Sequence, residues 1–88
     1  MRWKNAVKVD KSIKPIHYKL RKAPELHVGE RYYVSFGNHR AVPAKLIEID
    51  TERPQVRVTV DTENGESYLY ADELGNTPEE AVVNEVTF

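Results

Sequence analysis

Residues 55–70 have the sequence QVRVTVDTENGESYLY, which holds the most regular pattern in the chain. Valine alternates with polar residues over 55–61, the two-residue period of a strand that buries one face. Asn64-Gly65 follows, and Asn-Gly is a strong signal for a tight hairpin turn. The stretch therefore predicts two antiparallel strands. The inward-facing residues of the first would be Val56, Val58 and Val60.

A second hairpin is predicted upstream, over residues 31–50, where two alternating runs are joined by Gly37-Asn38. Glycine and asparagine tolerate the positive φ angles of hairpin turns. The run after the turn is apolar on both faces and contains Pro43, so we expect a long, bent strand with Pro43 at an edge or a bulge. The expected core partners of the valines are Val34, Phe36 and Leu46.

The two ends of the chain carry weaker signals. Residues 2–9 place Trp3, Ala6 and Val7 among lysines and predict a first short strand, whereas Pro15 and Pro24 favour an edge strand or ordered loop between them. After Gly75 the chain predicts a short helix, with Asn76 or Thr77 as its cap and Pro78 just inside.

Composition limits the architecture to one small domain. The chain has 88 residues, of which 40% are hydrophobic and 31% charged, so it can build a single thin core. It contains no cysteine and no apolar run of the about 20 residues that span a bilayer. We therefore expect a soluble protein of a bacterial-type cytoplasm, without disulfides and without a membrane partner.

The net charge of −1 hides a strong asymmetry. Residues 1–25 carry eight basic and two acidic groups, and residues 26–88 carry five basic and twelve acidic groups. Such a basic arm either binds a polyanion or lies across the acidic body as a neutralising strap. The apolar residues within the arm favour the second interpretation.

The order of strands over residues 26–75 resembles the SH3-like small barrels. Tudor-type and KOW-type domains are the most similar in the pattern of strands and turns along the chain. The resemblance rests on Val28-Gly29-Glu30 before the first strand, the long strand AKLIEID, the Asn-Gly hairpin and a last strand ending in ADEL. It implies a mainly β fold, a barrel of about five strands with a short C-terminal helix. Residues 1–25 would then be a basic N-terminal arm with up to two edge strands, one of which closes the barrel formed by residues 26–88.

The same resemblance implies binding. Tudor-type barrels hold methylated cations in an aromatic cage, and KOW-type barrels contact RNA or transcription machinery. Tyr33 and the late tyrosines are the aromatic candidates here, together with Phe36, although alternation places Phe36 in the core. We expect a protein-binding face built from Tyr33, Arg57, Tyr68 and Tyr70.

Catalysis is not expected. The chain is similar in size to the plasmid-borne type II dihydrofolate reductases, but Ser67-Tyr68-Leu69-Tyr70 replaces their Val-Gln-Ile-Tyr. The three histidines are far apart and lack metal-ligand spacing, and no serine lies in a nucleophile elbow. The late acidic residues lack the glycine-bent loop of an oxygen cage. We therefore predict no enzyme activity, no metal and no cofactor.

Two functions remain. The first is a non-catalytic protein-interaction module whose protein partner is unidentified. The alternative is a nucleic-acid-binding barrel, because the arm interleaves aromatic and cationic side chains, a mixture that stacks on bases and neutralises phosphates. Its candidate residues are Arg2, Trp3, Lys19, Arg21 and Lys22. A homodimer is compatible with either function, since a thin core favours a second subunit.

Overall fold

Six strands and one helix make up the regular structure of the computed structural model, which describes residues 3–86. The strands are β1 (Val7–Lys8), β2 (Arg31–Gly37), β3 (Arg40–Asp50), β4 (Arg57–Thr62), β5 (Gly65–Tyr70) and β6 (Leu74–Gly75). The helix is α1 (Pro78–Val83), and two 3₁₀ turns cover Tyr18–Leu20 and Ala71–Glu73. No helix within residues 3–86 is long and apolar enough to cross a membrane.

The strands form one antiparallel sheet in the order β5-β4-β3-β2-β6, with β1 also pairing with β3. A mainly β fold with a short C-terminal helix is thus confirmed. The sheet is not closed, because β5 and β6 lie at its two ends and do not pair with each other in the described residues. The arm, expected to close a barrel, adds β1 against β3 instead, and the 3₁₀ turn after β5 carries the chain to β6 beside β2.

Both predicted hairpins are confirmed. In the first, Gly37 pairs with Arg40, and the two turn residues between them are Asn38 and His39, with φ of 60° and 53°. The turn therefore lies one residue later than predicted, with the two positive φ angles of a type I′ turn. In the second, Thr62 pairs with Gly65, whose φ is 106°, so Glu63 and Asn64 lie between the strands and the turn is one residue earlier than predicted.

The long third strand bends as expected. β3 contains 11 residues, and its register with β4 shifts between Leu46 and Glu48, so Ile47 forms a bulge. Pro43 lies between the residues of β3 that pair with β1 and those that pair with β4. Proline is tolerated there because that side of the strand lacks a ladder partner.

The core lies on one face of the sheet. Val34, Leu46, Val58 and Val60 are at most 2% exposed within one cluster, which confirms their prediction as core residues. Val56 does not belong to it: it precedes β4 and is 36% exposed, and its backbone carbonyl accepts the Ala71 N–H at 3.0 Å.

Phe36 also differs from its prediction as a buried core residue. Its ring is only half-buried and packs against the margin of the core cluster. The register of β2 with β3 shifts between Val34 and Gly37, so the alternation that places Val34 inside does not extend unbroken to Phe36.

Helix α1 covers the opposite face of β2 and β6. Gly75 is the cross-strand partner of Tyr33, and a Cβ on Gly75 would meet the backbone of Glu80 and Ala81. Ser35 of β2 is fully buried, and its carbonyl accepts the N–H of Val86, which follows the helix. The helix start is confirmed, since the Thr77 hydroxyl accepts the Glu80 N–H at 3.1 Å.

We expect Tyr32→Phe to lower the free energy of unfolding by about 1–2 kcal/mol. The buried Tyr32 hydroxyl accepts the His27 N–H at 2.7 Å and donates to the Glu25 carbonyl at 2.8 Å, so its loss leaves both backbone groups unpaired. Urea denaturation measures the difference. Tyr68→Phe is the control, because Tyr68 is 77% exposed, and equal stability of the two variants would contradict the described hydrogen bonds.

Candidate functional site at the free edge of the sheet

Strand β5 is an end strand of the sheet. It pairs with β4 from Thr62↔Gly65 to Arg57↔Tyr70, and no strand lies on its other side in residues 3–86. The Ala71 N–H donates to the Val56 carbonyl, so these two residues form a hydrogen-bonded pair. Because hydrogen-bonded and non-hydrogen-bonded pairs alternate along antiparallel strands, the backbone groups of residues 67 and 69 also bond to β4. The N–H and C=O groups of Glu66, Tyr68 and Tyr70 therefore point toward the free edge.

One end of this edge is closed by Glu73. Its carboxylate Oε1 accepts the N–H of Tyr70 at 2.8 Å, and the residue is only 3% exposed. The backbone groups of Glu66 and Tyr68 have no such cover among the described interactions. Because unpaired edge groups readily bond another extended chain, the accessible part of the edge is centred on Tyr68.

Arg57 holds Tyr70 in place across the strands. Its Nη2 donates to the Tyr70 hydroxyl at 3.2 Å, and its Cζ lies 4.9 Å from the centroid of the Tyr70 ring. Hydrogen bonding and cation–π attraction act together and restrict the ring. Tyr68 lies two residues earlier on the same face and projects into solvent. Beside the edge, the Tyr70 ring is therefore restrained by Arg57, whereas the Tyr68 ring is exposed to solvent.

A cleft of about 390 Å³, here called the edge cleft, runs along β5. Its lining combines apolar side chains with a few polar ones: Phe36, Arg57, Ser67, Tyr68, Leu69, Tyr70, Glu73 and Val86. Phe36 is fixed from behind by Trp3, since the two rings stack with centroids 5.4 Å apart and planes 5° apart. The Val86 N–H donates to the Ser35 carbonyl at 2.9 Å, which brings the C-terminal segment to the cleft.

A second cleft of about 480 Å³, the arm cleft, lies beside the first and shares Tyr70 and Glu73 with it. Its other lining residues come from the arm and from the segments around β4 and the second 3₁₀ turn: Tyr18, Arg21, Ala23, Gln55, Val56, Ala71 and Asp72. The edge of β5 thus borders a continuous concave surface that extends toward the arm.

Arg21 is committed to the interior of the protein. Its side chain is 5% exposed, and its Nη1 donates to the carbonyls of Glu85 at 2.7 Å and Asn84 at 3.3 Å. Its Nη2 lies 4.0 Å from the Asp72 carboxylate. A cation at the C-terminal end of a helix satisfies carbonyls that lack intrahelical donors. Arg21 therefore fastens the arm to the end of α1.

The structure brings three of the four predicted protein-binding residues together. The edge of β5 is surrounded by Arg57, Tyr68 and Tyr70. Tyr33 lies on β2, where it pairs with Pro43 of β3 and Gly75 of β6, and strands β3 and β4 separate β2 from β5. Glu73 and Val86 were not predicted for this site. No local sequence signal marks them, because their positions in the fold depend on the second 3₁₀ turn and on the helix.

The residues of the nucleic-acid alternative are dispersed. Arg2 lies outside the described residues, Trp3 stacks on Phe36 and Arg21 is buried. Lys19 and Lys22 are exposed, and the Lys19 Nζ lies 5.9 Å from the Tyr18 ring. Of the five candidates, two therefore have an exposed cationic group that could contact a phosphate in the described residues, namely Lys19 and Lys22.

The arm lies across the body by packing more than by charge. Trp3 and Ala6 pack against the core cluster, Val9 is buried and the Asn5 N–H donates to the Glu63 carboxylate at 2.8 Å. None of the arm lysines forms an ion pair with an acid of residues 3–86. The strap interpretation thus holds for the apolar residues, while the lysine charges stay exposed.

Local hydrogen bonds give the arm a turn of its own. The Ser12 N–H donates to the Asp10 carboxylate at 2.8 Å, and this bond holds the pKa of Asp10 below its ordinary value. The Ile13 N–H donates to the Asp10 carbonyl at 3.0 Å. The arm therefore changes direction at Asp10, directly after the pairing of β1 with β3.

The three histidines lie in separate local environments. The His17 Nδ1 accepts the Lys19 N–H at 3.3 Å, the His27 Nε2 lies 3.4 Å from the Glu25 carboxylate and His39 lies in the first hairpin turn. Within residues 3–86 no group of three histidine, aspartate or glutamate side chains is placed to hold a metal ion. The site at β5 thus offers backbone groups, aromatic rings and a guanidinium.

No protein-family model, no curated protein and no solved structure matches this chain. The resemblance to SH3-like barrels stays a prediction for that reason.

Proposed function

We propose that this protein is a non-catalytic, SH3-like binding module that holds an extended segment of another protein along the free edge of β5. The observation that carries the proposal is the outward-facing backbone of Tyr68 beside the edge cleft. An added strand bonds such groups irrespective of its sequence, while pockets beside the edge select its alternate side chains.

The composition of β5 supports strand addition. Natural sheets protect their end strands with lysine, proline, bulges or covering segments. β5 has the sequence Gly-Glu-Ser-Tyr-Leu-Tyr, with one charged residue at its second position, and pairs with β4 without a register shift. The Glu73 carboxylate accepts the Tyr70 N–H. Within residues 3–86 no segment pairs with the outward-facing backbone of Glu66 or Tyr68, as expected of a strand that accepts a partner.

The cleft defines the partner's chemistry. Side chains of an added strand alternate between the two faces of the sheet. On the core side they would meet Phe36, Leu69 and Val86, which favours an apolar side chain. On the other side they would meet Tyr68, next to the fixed Arg57–Tyr70 pair. The proposed ligand is therefore an extended peptide with apolar residues at alternate positions.

A random peptide library displayed on phage and selected on the full chain provides the test. We expect selected peptides to protect the Tyr68 amide from hydrogen exchange, whereas the Leu69 amide is already bonded to β4. Tyr68→Ala is expected to weaken binding about tenfold, as for an aromatic hot spot. Val28→Ala is the matched control, since Val28 is an exposed apolar residue in a turn away from β5.

Two results would contradict the proposal. One is a library without peptides that bind above an unrelated control, and the other is binding that leaves the Tyr68 amide unprotected and is insensitive to Tyr68→Ala. Isothermal titration of a selected peptide against wild type and both variants gives the affinities.

The exposed, unpaired lysines of the arm keep nucleic-acid binding as a second candidate. Binding of mixed single- and double-stranded DNA and RNA would then weaken steeply with salt and be lost in a Lys19→Glu/Lys22→Glu variant. The acidic body opposes this function at distances within the about 10 Å screening length of ordinary buffers. Absence of binding at low salt would exclude it.

A further inference from the structure

An apolar groove of about 480 Å³ lies between the arm and α1, here called the arm–helix groove. Its apolar lining includes Ile13, Ile16, Leu20 and Val83. The Ile16 N–H donates to the Val83 carbonyl at 3.0 Å, so the arm is fixed alongside the helix. Leu20 is nevertheless 70% exposed and Ile16 41% exposed. Contiguous exposed apolar surface of this kind marks an interaction site.

The two walls of the groove carry opposite charge. Lys22 lies on the arm wall, and Glu79 lies on the helix wall. Neither side chain forms a hydrogen bond or ion pair with any residue of the described part of the chain. Glu80 also lines the helix wall, but its carboxylate accepts the Asn76 N–H at 2.7 Å. One unpaired cation and one unpaired anion thus face each other across an apolar floor.

We propose that a second copy of this chain occupies the arm–helix groove and forms a two-fold symmetric homodimer. A two-fold axis through the groove lays the arm wall of one copy over the helix wall of the other. Lys22 of each copy then meets the partner's Glu79, and the exposed side chains of Leu20 and Ile16 pack into the partner's groove. Walls of equal charge would repel a second copy, so the opposite signs are what makes the groove complementary to itself.

The overall charge permits this association. The net charge of −1 produces little repulsion between copies, although each copy has a basic arm and an acidic body. No residue of β5 lines the groove, so filling the groove does not itself use the free edge of the sheet. The dimer does not rest on the proposed peptide binding, but it would present two such edges and so increase avidity for a repeated ligand.

Sedimentation velocity of the full chain over a wide concentration range provides the test. We expect the wild type to dimerise, and Lys22→Glu and Glu79→Lys each to raise the dissociation constant about tenfold or more, because each variant places like charges across both contacts. Mixing the two variants is expected to restore the dimer. In the mixed pair the acid introduced at position 22 faces the base introduced at position 79, and the native Lys22 and Glu79 face each other at the second contact.

Lys11→Glu and Glu52→Lys are matched controls, since they make the same charge changes at exposed positions outside the groove. Circular dichroism shows whether each variant is folded. A wild type that stays monomeric at all concentrations would overturn the proposal. So would a dimer that withstands both single substitutions, or one that mixing does not restore. Restoration by mixing, unlike restoration by a double substitution in one chain, requires a contact between copies.

Discussion

Replacing Gly75 with alanine is expected to lower the free energy of unfolding by about 3 kcal/mol, at the upper end for overpacking of a close contact. A Cβ at this position would lie 2.7 Å from the carbonyl carbon of Glu80 and closer still to the backbone nitrogen of Ala81. Backbone atoms of a helix cannot rotate away as a side chain can. The strain must therefore be relieved by moving α1 off β6 and β2.

Urea denaturation measures the loss, and Gly29→Ala is its control. Gly29 has a φ of 93°, and a Cβ at this position would meet no heavy atom of a remote residue within 4 Å, so its substitution tests backbone strain alone, at about 1–2 kcal/mol. We also expect faster hydrogen exchange at the Ala81 amide in the Gly75→Ala variant, because that N–H bonds to the Thr77 carbonyl. Unchanged stability and exchange would contradict the close packing of the helix on the sheet.

Arg21→Met is expected to cost about 2–3 kcal/mol, as for the loss of hydrogen bonds from a charged donor. The substitution keeps an apolar stem of similar length but leaves the Glu85 and Asn84 carbonyls without their donor. It also removes the cation beside the Asp72 carboxylate, whose side chain is 30% exposed. The arm would lose its attachment to the end of α1, and the arm cleft would lose one of its walls.

Lys14→Met is the control for this prediction, because Lys14 is an exposed arm residue without a partner in the described chain, and its loss is expected to change stability by less than about 0.5 kcal/mol. Thermal unfolding of both variants measures the difference. Equal stability would show that the Arg21 guanidinium is dispensable for folding. The predicted loss would instead place Arg21 among the residues that hold the fold together.

The sequence by itself determined the local structure. The alternation at Val58 and Val60, the Asn-Gly hairpin and the start of α1 at Thr77 and Pro78 all depend on residues within a few positions of each other. Turn geometry, strand period and helix capping are properties of such short segments. The length of β3 follows the same rule, since its apolar residues lie within one segment, but its bulge lies at Ile47 and not at Pro43.

Only the tertiary structure decided what each surface is for. Ser35 is buried where the remote Val86 binds its carbonyl, and Arg21 is buried against carbonyls that follow α1, more than sixty residues away. The open sheet, with β6 beside β2 and β1 beside β3, likewise follows from the path between distant segments. A residue's own neighbours in sequence set its backbone conformation, but its exposure and its partners depend on which remote element packs against it. Local alternation was enough to predict Arg57, Tyr68 and Tyr70 as binding residues. The cleft that they border also includes residues from remote segments, so it is seen only in the folded chain.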